Sequence, residues 1–467
     1  MKELRNPSSD PRLAWFTAAK LGLFIHWGPY SLAGVEASWP IMAPDLALAA
    51  FGSQLRITEA DYLSLPARFN PVDFDPYEWL RLASDAGAKY VVMTAKHHDG
   101  FCMFDAPGTD FKITSTPYGR DVCAELAQAC AKAGLRLCFY YSQPDMHHPG
   151  YRDTSKPARS NWWGEPRRRG WTEYLDYMEA HLRQLLTGYG PVAALWFDGL
   201  AGHDKYDPAR FHRLIRELSP ETLVNDRLGG RYDFVTPEQV IPGGGIPIRH
   251  SPRPGATDRQ VKVLFNLMKL PLLGPAILRK AQEYADGKLL LTHIPTAPNP
   301  TPAEFQPWET CLTLNRTWAY NPRDNVYKTR RQLLQALSRV AAGGGNLLLN
   351  VGPRPEGTFP PESAERLHQI GAWLADNGAA IFGTTYGPLQ ELPFGVTTAS
   401  KDTTYLLVFD WPRDGQLTFR SPYRTVLHCT LLASGESLSC SRAGDSLTIQ
   451  VPGQAPDPDV SVIALCH

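Results

Sequence analysis

Two histidines, His97 and His98, stand side by side in TAKHHDGF, at the end of the apolar run KYVVM, and an aspartate and a glycine follow at once. Successive side chains on a strand point to opposite faces, so this pair can converge on one ligand only if the strand ends there. A metal would ask for an HxH or HExxH spacing with a further ligand, and the sequence has no such cluster. The pair therefore reads as binding residues at a strand end. The second candidate is Asp198 in LWFDGL. A carboxylate after an apolar strand is costly to bury unless it is paired or used. Flanked by aromatic residues, it suits glycoside chemistry, in which a carboxylate faces the anomeric carbon while rings pack on the apolar faces of a sugar. Capping of the next helix is the alternative reading. Trp27, Trp39, Trp196 and Trp318 each lie near a polar residue and are candidates to line such a pocket.

Positioning these groups requires a scaffold, and the chain alternates short apolar runs with amphipathic stretches. LGLFIHWG (21–28), KYVVMTAKH (89–97), LRLCFYYS (135–142), VAALWFDG (192–199), ETLVNDR (221–227) and NLLLNVGP (346–353) read as strands buried on both faces. Between them, DPYEWLRLASDAG, RDVCAELAQACAKAG, WTEYLDYMEAHLRQLLTGYG and YKTRRQLLQALSRVAAGGG carry helical spacing and end in glycine. Strand-then-helix repeats imply parallel strands with helical crossovers. His26, His97, Tyr141, Asp198 and Arg227 fall at the C-terminal ends of different strands, where a closed barrel gathers its active-site residues. An open sheet would instead place its site at one switch point beside a phosphate loop, and neither GGGIP nor AAGGGN has that context. The expected fold is α/β: a (β/α)8-like TIM barrel over residues 1–383, followed by a C-terminal β-sandwich over 384–467, where short strand patterns separated by turn residues replace the helical ones. Residues 243–307 are too long for a simple connection and read as an insertion with its own helices.

The 467 residues hold 47 Lys plus Arg and 47 Asp plus Glu, so charge does not point to nucleic acid or to an anionic membrane. Apolar residues make up 43% of the chain, enough to bury a sizeable core. The N-terminus has no apolar run resembling a secretory signal, and no stretch elsewhere is long and apolar enough to span a bilayer. Eight cysteines without CxxC or metal-finger spacing read as reduced and mostly buried, which fits a cytoplasmic home, with a Cys429–Cys440 bridge as the open alternative.

GLFIHWGPYS, KYVVMTAKHHDGF, LCFYYS, LWFDG, NDR, DFVTPEQ, WETCLTLNRTWAYN and GGNLLLNVGPRPEG occur in the order found in the α-L-fucosidases of glycoside hydrolase family twenty-nine, and residues 15 to about 383 resemble that family. The resemblance implies a barrel enzyme that removes terminal α-L-fucose with retention of configuration. It implies Asp198 as nucleophile, and His26, Trp39, His97, His98, Tyr141, Trp196 and Arg227 as substrate-binding residues. Trp318 would help seat the sugar's methyl group. No metal or cofactor is implied. The partner would be a fucosylated oligosaccharide or glycoconjugate, with no nucleic acid and no membrane, and a homo-oligomeric state is left open. A retaining mechanism needs a second carboxyl group about 5–5.5 Å from the first. Glu238 is the preferred acid/base, with Glu309 and Asp233 as alternatives. One departure stands out: many relatives carry Glu-Trp shortly after the HWG strand, whereas this chain has Ser38-Trp39, with Glu36 two residues earlier. Either Glu36 takes over that contact or it is lost. The competing readings are an exo-glycosidase of another sugar specificity and a sugar-binding barrel without turnover.

Overall fold

The computed structural model describes residues 10–42, 57–199, 203–239, 305–389, 392–423 and 425–467. The six short apolar runs become parallel strands, and a segment not read as a strand adds a seventh, β6: β1 (Leu21–Ile25), β2 (Tyr90–Lys96), β3 (Arg136–Ser142), β4 (Val192–Asp198), β5 (Leu223–Val224), β6 (Glu309–Thr313) and β7 (Asn346–Val351). Their order in the sheet is β5-β4-β3-β2-β1-β7-β6. The gap between β5 and β6 is filled by residues 234–238, through parallel bridges of Phe234 with Asn225, Val235 with Trp308 and Glu238 with Cys311. Counting that segment, eight chain passes make up the ring, so the architecture is the (β/α)8-like barrel.

The strands are apolar on both faces because each face meets a different layer. Phe24, Tyr90, Val92, Cys138, Tyr140, Trp196, Cys311 and Leu348 fill the barrel interior. Their sequence neighbours, among them Leu23, Val91, Phe139, Tyr141, Leu195, Phe197 and Leu349, pack outward into the layer shared with the helices. This period-two division decides which strand-end residue can reach the site.

Among the described residues, six helices of ten residues or more wrap the barrel: α1 (Pro76–Asp85), α2 (Val122–Ala133), α3 (Trp171–Gly188), α4 (Pro208–Leu218), α5 (Arg330–Ala342) and α6 (Pro361–Asn377). Four of these six starts are set by side chains that satisfy free backbone N–H groups. Asp75 accepts from Tyr77 and Glu78 ahead of α1, Asp121 from Ala124 ahead of α2, and Asp207 from Arg210 ahead of α4. Thr329 and Gln332 form a reciprocal capping box at α5. Helix α2 stops at Gly134, whose φ of 68° is the left-handed conformation glycine adopts without a side-chain clash.

Antiparallel strands begin at Thr385 and run to Cys466 in a six-stranded and a three-stranded sheet around Phe394, Leu406, Leu417, Phe419, Leu447 and Ile463. This is the C-terminal sandwich. It is fastened to the barrel where Arg330 of α5 pairs with Asp457 and Asp459, each at 2.7 Å, and where Trp373 of α6 donates to the Val460 carbonyl. All eight cysteines are free thiols, six of them buried. The helical patterns expected within residues 243–307 lie, up to residue 304, outside the described residues. Among the described residues no helix is long and apolar enough to cross a membrane.

Candidate active site

The polar residues converge at the C-terminal ends of the barrel strands. His26 directly follows β1 and Asp198 closes β4. β2 stops at Lys96, after its register against β3 shifts between Thr94 and Lys96. The chain then turns at Gly100, whose φ is 89° and where an added Cβ would lie 2.3 Å from an Asp145 oxygen. Freed from strand alternation, the His97 and His98 rings come within 4.3 Å of each other, and the His26 and His97 rings within 5.6 Å.

Each histidine is oriented from behind. His26 Nδ1 is 2.6 Å from Asn350 Oδ1, His97 Nδ1 is 2.6 Å from Ser38 Oγ, and His98 Nδ1 is 2.5 Å from Ser142 Oγ. Burial disfavours their charged forms, lowering His26 and His98 to about 4 and His97 well below its ordinary value. All three are therefore neutral at physiological pH.

Asp198 is the charged centre. Arg227, in the turn after β5, donates from Nη1 to its Oδ1 at 2.7 Å, and Tyr140 donates to its Oδ2 at 2.7 Å. His98 Nε2 lies 3.5 Å from the same Oδ2. Burial pushes this carboxyl up, but the positive charge of Arg227 and the hydrogen bonds from Tyr140 and Arg227 outweigh it and hold Asp198 below the usual range. The end of β4 is pinned by Asn225, whose amide accepts from Phe197 N and donates to Phe197 O, both at 2.9 Å.

Arg227 also donates from Nη2 to Glu238 Oε2 at 2.9 Å, so one guanidinium bridges two carboxylates. Thr236 fixes that guanidinium through its hydroxyl and its carbonyl, both at 3.2 Å. The other two acid candidates are placed elsewhere. Asp233 accepts from Arg12, Arg216 and the Val224 N–H, a structural junction away from Asp198. Glu309 is 1% exposed in the barrel interior and accepts from Trp196 Nε1 at 3.0 Å and from the Tyr90 hydroxyl.

Three expectations are corrected. Tyr141 points outward, its hydroxyl 3.0 Å from His181 Nδ1 of α3. Tyr140 takes the site position because it shares the inward face with Ser142 on β3. Trp196 is inward but lies under the site: its N–H is spent on Glu309, and the Arg227 guanidinium sits 4.7 Å over its ring. It supports Arg227 and has no donor left for a sugar hydroxyl. Trp27 likewise belongs to the outer core, packed against Phe74 and Trp79. Trp39 opens a short helix beside Ser38 and is half-buried.

Trp318 lies with its ring 5.1 Å from that of His26. Both oxygens of Glu36 accept from its backbone N–H, at 3.0 and 3.1 Å. Glu36 is thus committed to holding the Trp318 loop, while Ser38 faces His97. Sequence reasoning missed Tyr140, Ser142 and Asn350; strict alternation counted back from the strand ends was the available signal for the first two. A cavity of about 710 Å³ lined by Trp15, Arg136 and Tyr189 lies at the opposite, N-terminal ends of β3 and β4, and no convergent acid or base points it towards chemistry.

Comparison with known proteins identifies the family. The α-L-fucosidase family model matches residues 2–250 and 288–379. The human tissue α-L-fucosidase is 28% identical, with 96% of this chain and 88% of the relative covered. The α-L-fucosidase isoenzyme 1 of Paenibacillus thiaminolyticus superposes with a TM-score of 0.78 at 32% identity, covering 98% of both chains. A family twenty-nine α-L-fucosidase of Bacteroides thetaiotaomicron, trapped as a covalent intermediate with 2-fluoro-fucosyl fluoride, superposes with a TM-score of 0.74 at 25% identity, covering 98% of this chain and 96% of the other. The chain belongs to the α-L-fucosidase family.

Proposed function

We infer that the protein is a retaining exo-α-L-fucosidase acting on fucosylated glycans. The observation that carries this reading is the pair of carboxylates, Asp198 and Glu238, held on one guanidinium at the mouth of a barrel whose other site groups are neutral. Asp198, ionised by Arg227 and Tyr140, attacks the anomeric carbon as the glycosidic C–O bond breaks. Glu238 gives its proton to the departing oxygen. Glu238 then takes a proton from water, whose oxygen displaces Asp198 from the same carbon, and two inversions give retention. Glu238 is 43% exposed. His26, His97 and His98 would bind the fucose hydroxyls, Trp318 would seat the methyl group, and Trp39 would border the aglycone side.

The same reading divides the chain into a catalytic domain, 1–383, and a sandwich, 384–467. It places the protein in a reducing, cytoplasmic setting, which suits its buried thiols. The test is hydrolysis of p-nitrophenyl α-L-fucoside by the wild type and by Asp198→Ala, with and without azide. Turnover that vanishes in the variant and returns as a fucosyl azide of inverted anomeric configuration supports both the activity and the nucleophile. A folded wild type that cleaves no aryl fucoside would overturn the reading in favour of a sugar-binding barrel.

A further inference from the structure

We propose that Ser38 and Asn350 hold the facing histidines His97 and His26 in opposite neutral tautomers, so that the pocket offers one ring N–H donor beside one ring acceptor. The proposal rests on the sugar-binding reading of the pocket for its use, but not for its test.

The assignment follows from counting donors and acceptors. Ser38 Oγ accepts the Asp99 N–H at 2.8 Å. Its other contact is His97 Nδ1 at 2.6 Å, and among the described residues no further acceptor receives its proton. Leaving that proton without an acceptor in a fully buried residue would be costly, so the hydroxyl donates to His97 Nδ1, which then carries no hydrogen. A neutral imidazole has one N–H, so His97 holds it on Nε2. Ser38 cannot swing away from this duty. Its own N–H donates to the Tyr62 hydroxyl at 2.9 Å, and that hydroxyl donates to Asp99 Oδ2 at 2.8 Å, closing a buried ring of contacts around it. Its φ of 60°, unusual for a residue with a Cβ, is the conformation this ring requires.

The opposite logic holds at His26. Asn350 Nδ2 donates to the Trp318 carbonyl at 2.7 Å, which fixes the amide with its oxygen towards His26. That oxygen can only accept, so His26 carries its proton on Nδ1 and presents a lone pair at Nε2. Neither Nε2 has a partner among the described residues. Two neighbouring sugar hydroxyls would then be read with opposite sense: one accepts from His97 and the other donates to His26. Ser38 and Asn350 are positioning residues in this scheme, since neither needs to touch the sugar.

The tautomers can be read without turnover. Two-bond proton–nitrogen NMR spectra of the full chain labelled with 15N-histidine show which ring nitrogen is protonated, and His26→Gln and His97→Gln assign the two patterns among the 13 histidines. The expected result is Nδ1–H for His26 and Nε2–H for His97 in the wild type. Ser38→Gly, which removes the hydroxyl and suits the positive φ, should shift the His97 pattern alone towards a mixture, and Asn350→Ala should shift His26 alone. With p-nitrophenyl α-L-fucoside, Ser38→Gly should lower kcat/KM about tenfold, the scale of one neutral hydrogen bond. The same tautomer on both rings of the wild type would overturn the proposal, as would a His97 pattern unmoved in Ser38→Gly. Absence of fucosidase activity beside the expected spectra would count against the proposed function and leave the tautomer assignment standing.

Discussion

Tyr140 and Tyr141 are adjacent on β3 and differ only in the face they occupy, which makes them a controlled test of the site geometry. Tyr140→Phe removes the hydroxyl that donates to Asp198 Oδ2 and leaves Arg227 in place. A hydrogen bond to a charged group contributes about 1.5–3 kcal/mol. At about 1.4 kcal/mol per pKa unit, its loss should raise the Asp198 pKa by roughly one to two units. The sign follows from the proposed chemistry: Asp198 as nucleophile must be ionised, its folded pKa is depressed, and activity should disappear as pH falls through that value. In Tyr140→Phe the acid limb of log kcat/KM against pH should therefore move upward by roughly one to two units. Folding stability should show the same direction, because the share that Asp198 contributes as a carboxylate is lost on acidification and would now be lost at higher pH. Tyr141→Phe should leave the acid limb in place and cost only about 1 kcal/mol of stability through its bond to His181. The measurement is a pH series with an aryl fucoside for both variants. An acid limb that moves in Tyr141→Phe and not in Tyr140→Phe would refute the assignment of faces.

If Glu238 is the acid/base, Glu238→Ala should slow a natural fucosyl disaccharide at least tenfold more than an aryl fucoside, whose leaving group needs little protonation; parallel losses measured on the two substrates would remove it. Burial pushes Glu309 up to about 7, so its carboxyl is a neutral hydrogen-bonding group in acid and a buried charge in base. Its contribution to stability is greatest below the unfolded value near 4.5 and is lost as pH rises towards 7. Thermal melts should then find Glu309→Gln stabilised by about 3 kcal/mol relative to the wild type at pH 8 but not at pH 4.5, with turnover retained. If Trp318 seats the methyl group, α-L-galactosides, which add one hydroxyl there, should be cleaved far more slowly than α-L-fucosides, and Trp318→Ala should narrow that ratio in kcat/KM.

The fold was legible because parallel strands buried on both faces leave unbroken apolar runs, and amphipathic helices between them leave a different period. Asp198 was legible for a related reason, since a carboxylate at the end of LWF has few structural explanations. Tyr140 was not read, because two tyrosines stand side by side in LCFYYS and only alternation counted back from the polar Ser142 marks which of them faces inward. Its register is set by pairing with β4, where Tyr140 lies opposite Trp196 and Ser142 opposite Asp198. The pass that completes the barrel was hidden too: residues 234–238 join the ring through single bridges and carry no strand-like run. Ser38 and Asn350 were out of reach for a third reason. They act on histidines 59 and 324 residues away, and only the folded chain brings them together.

The division between charged and neutral groups explains why the site spends three histidines where cations would bind hydroxyls more strongly. Glycoside cleavage passes through an oxocarbenium-like state, so in the proposed reaction positive charge would develop at the anomeric carbon beside Asp198. Protonated histidines there would oppose it in a poorly solvated pocket, where charges are weakly screened. Burial of His26, His97 and His98 removes that repulsion while keeping their hydrogen bonds. Arg227 remains charged, but it is neutralised from both sides by Asp198 and Glu238 and anchored over Trp196. Its charge keeps Asp198 ionised. Because the same guanidinium touches both carboxylates, the bond proposed to form at Asp198 would leave Arg227 with Glu238 as its remaining partner.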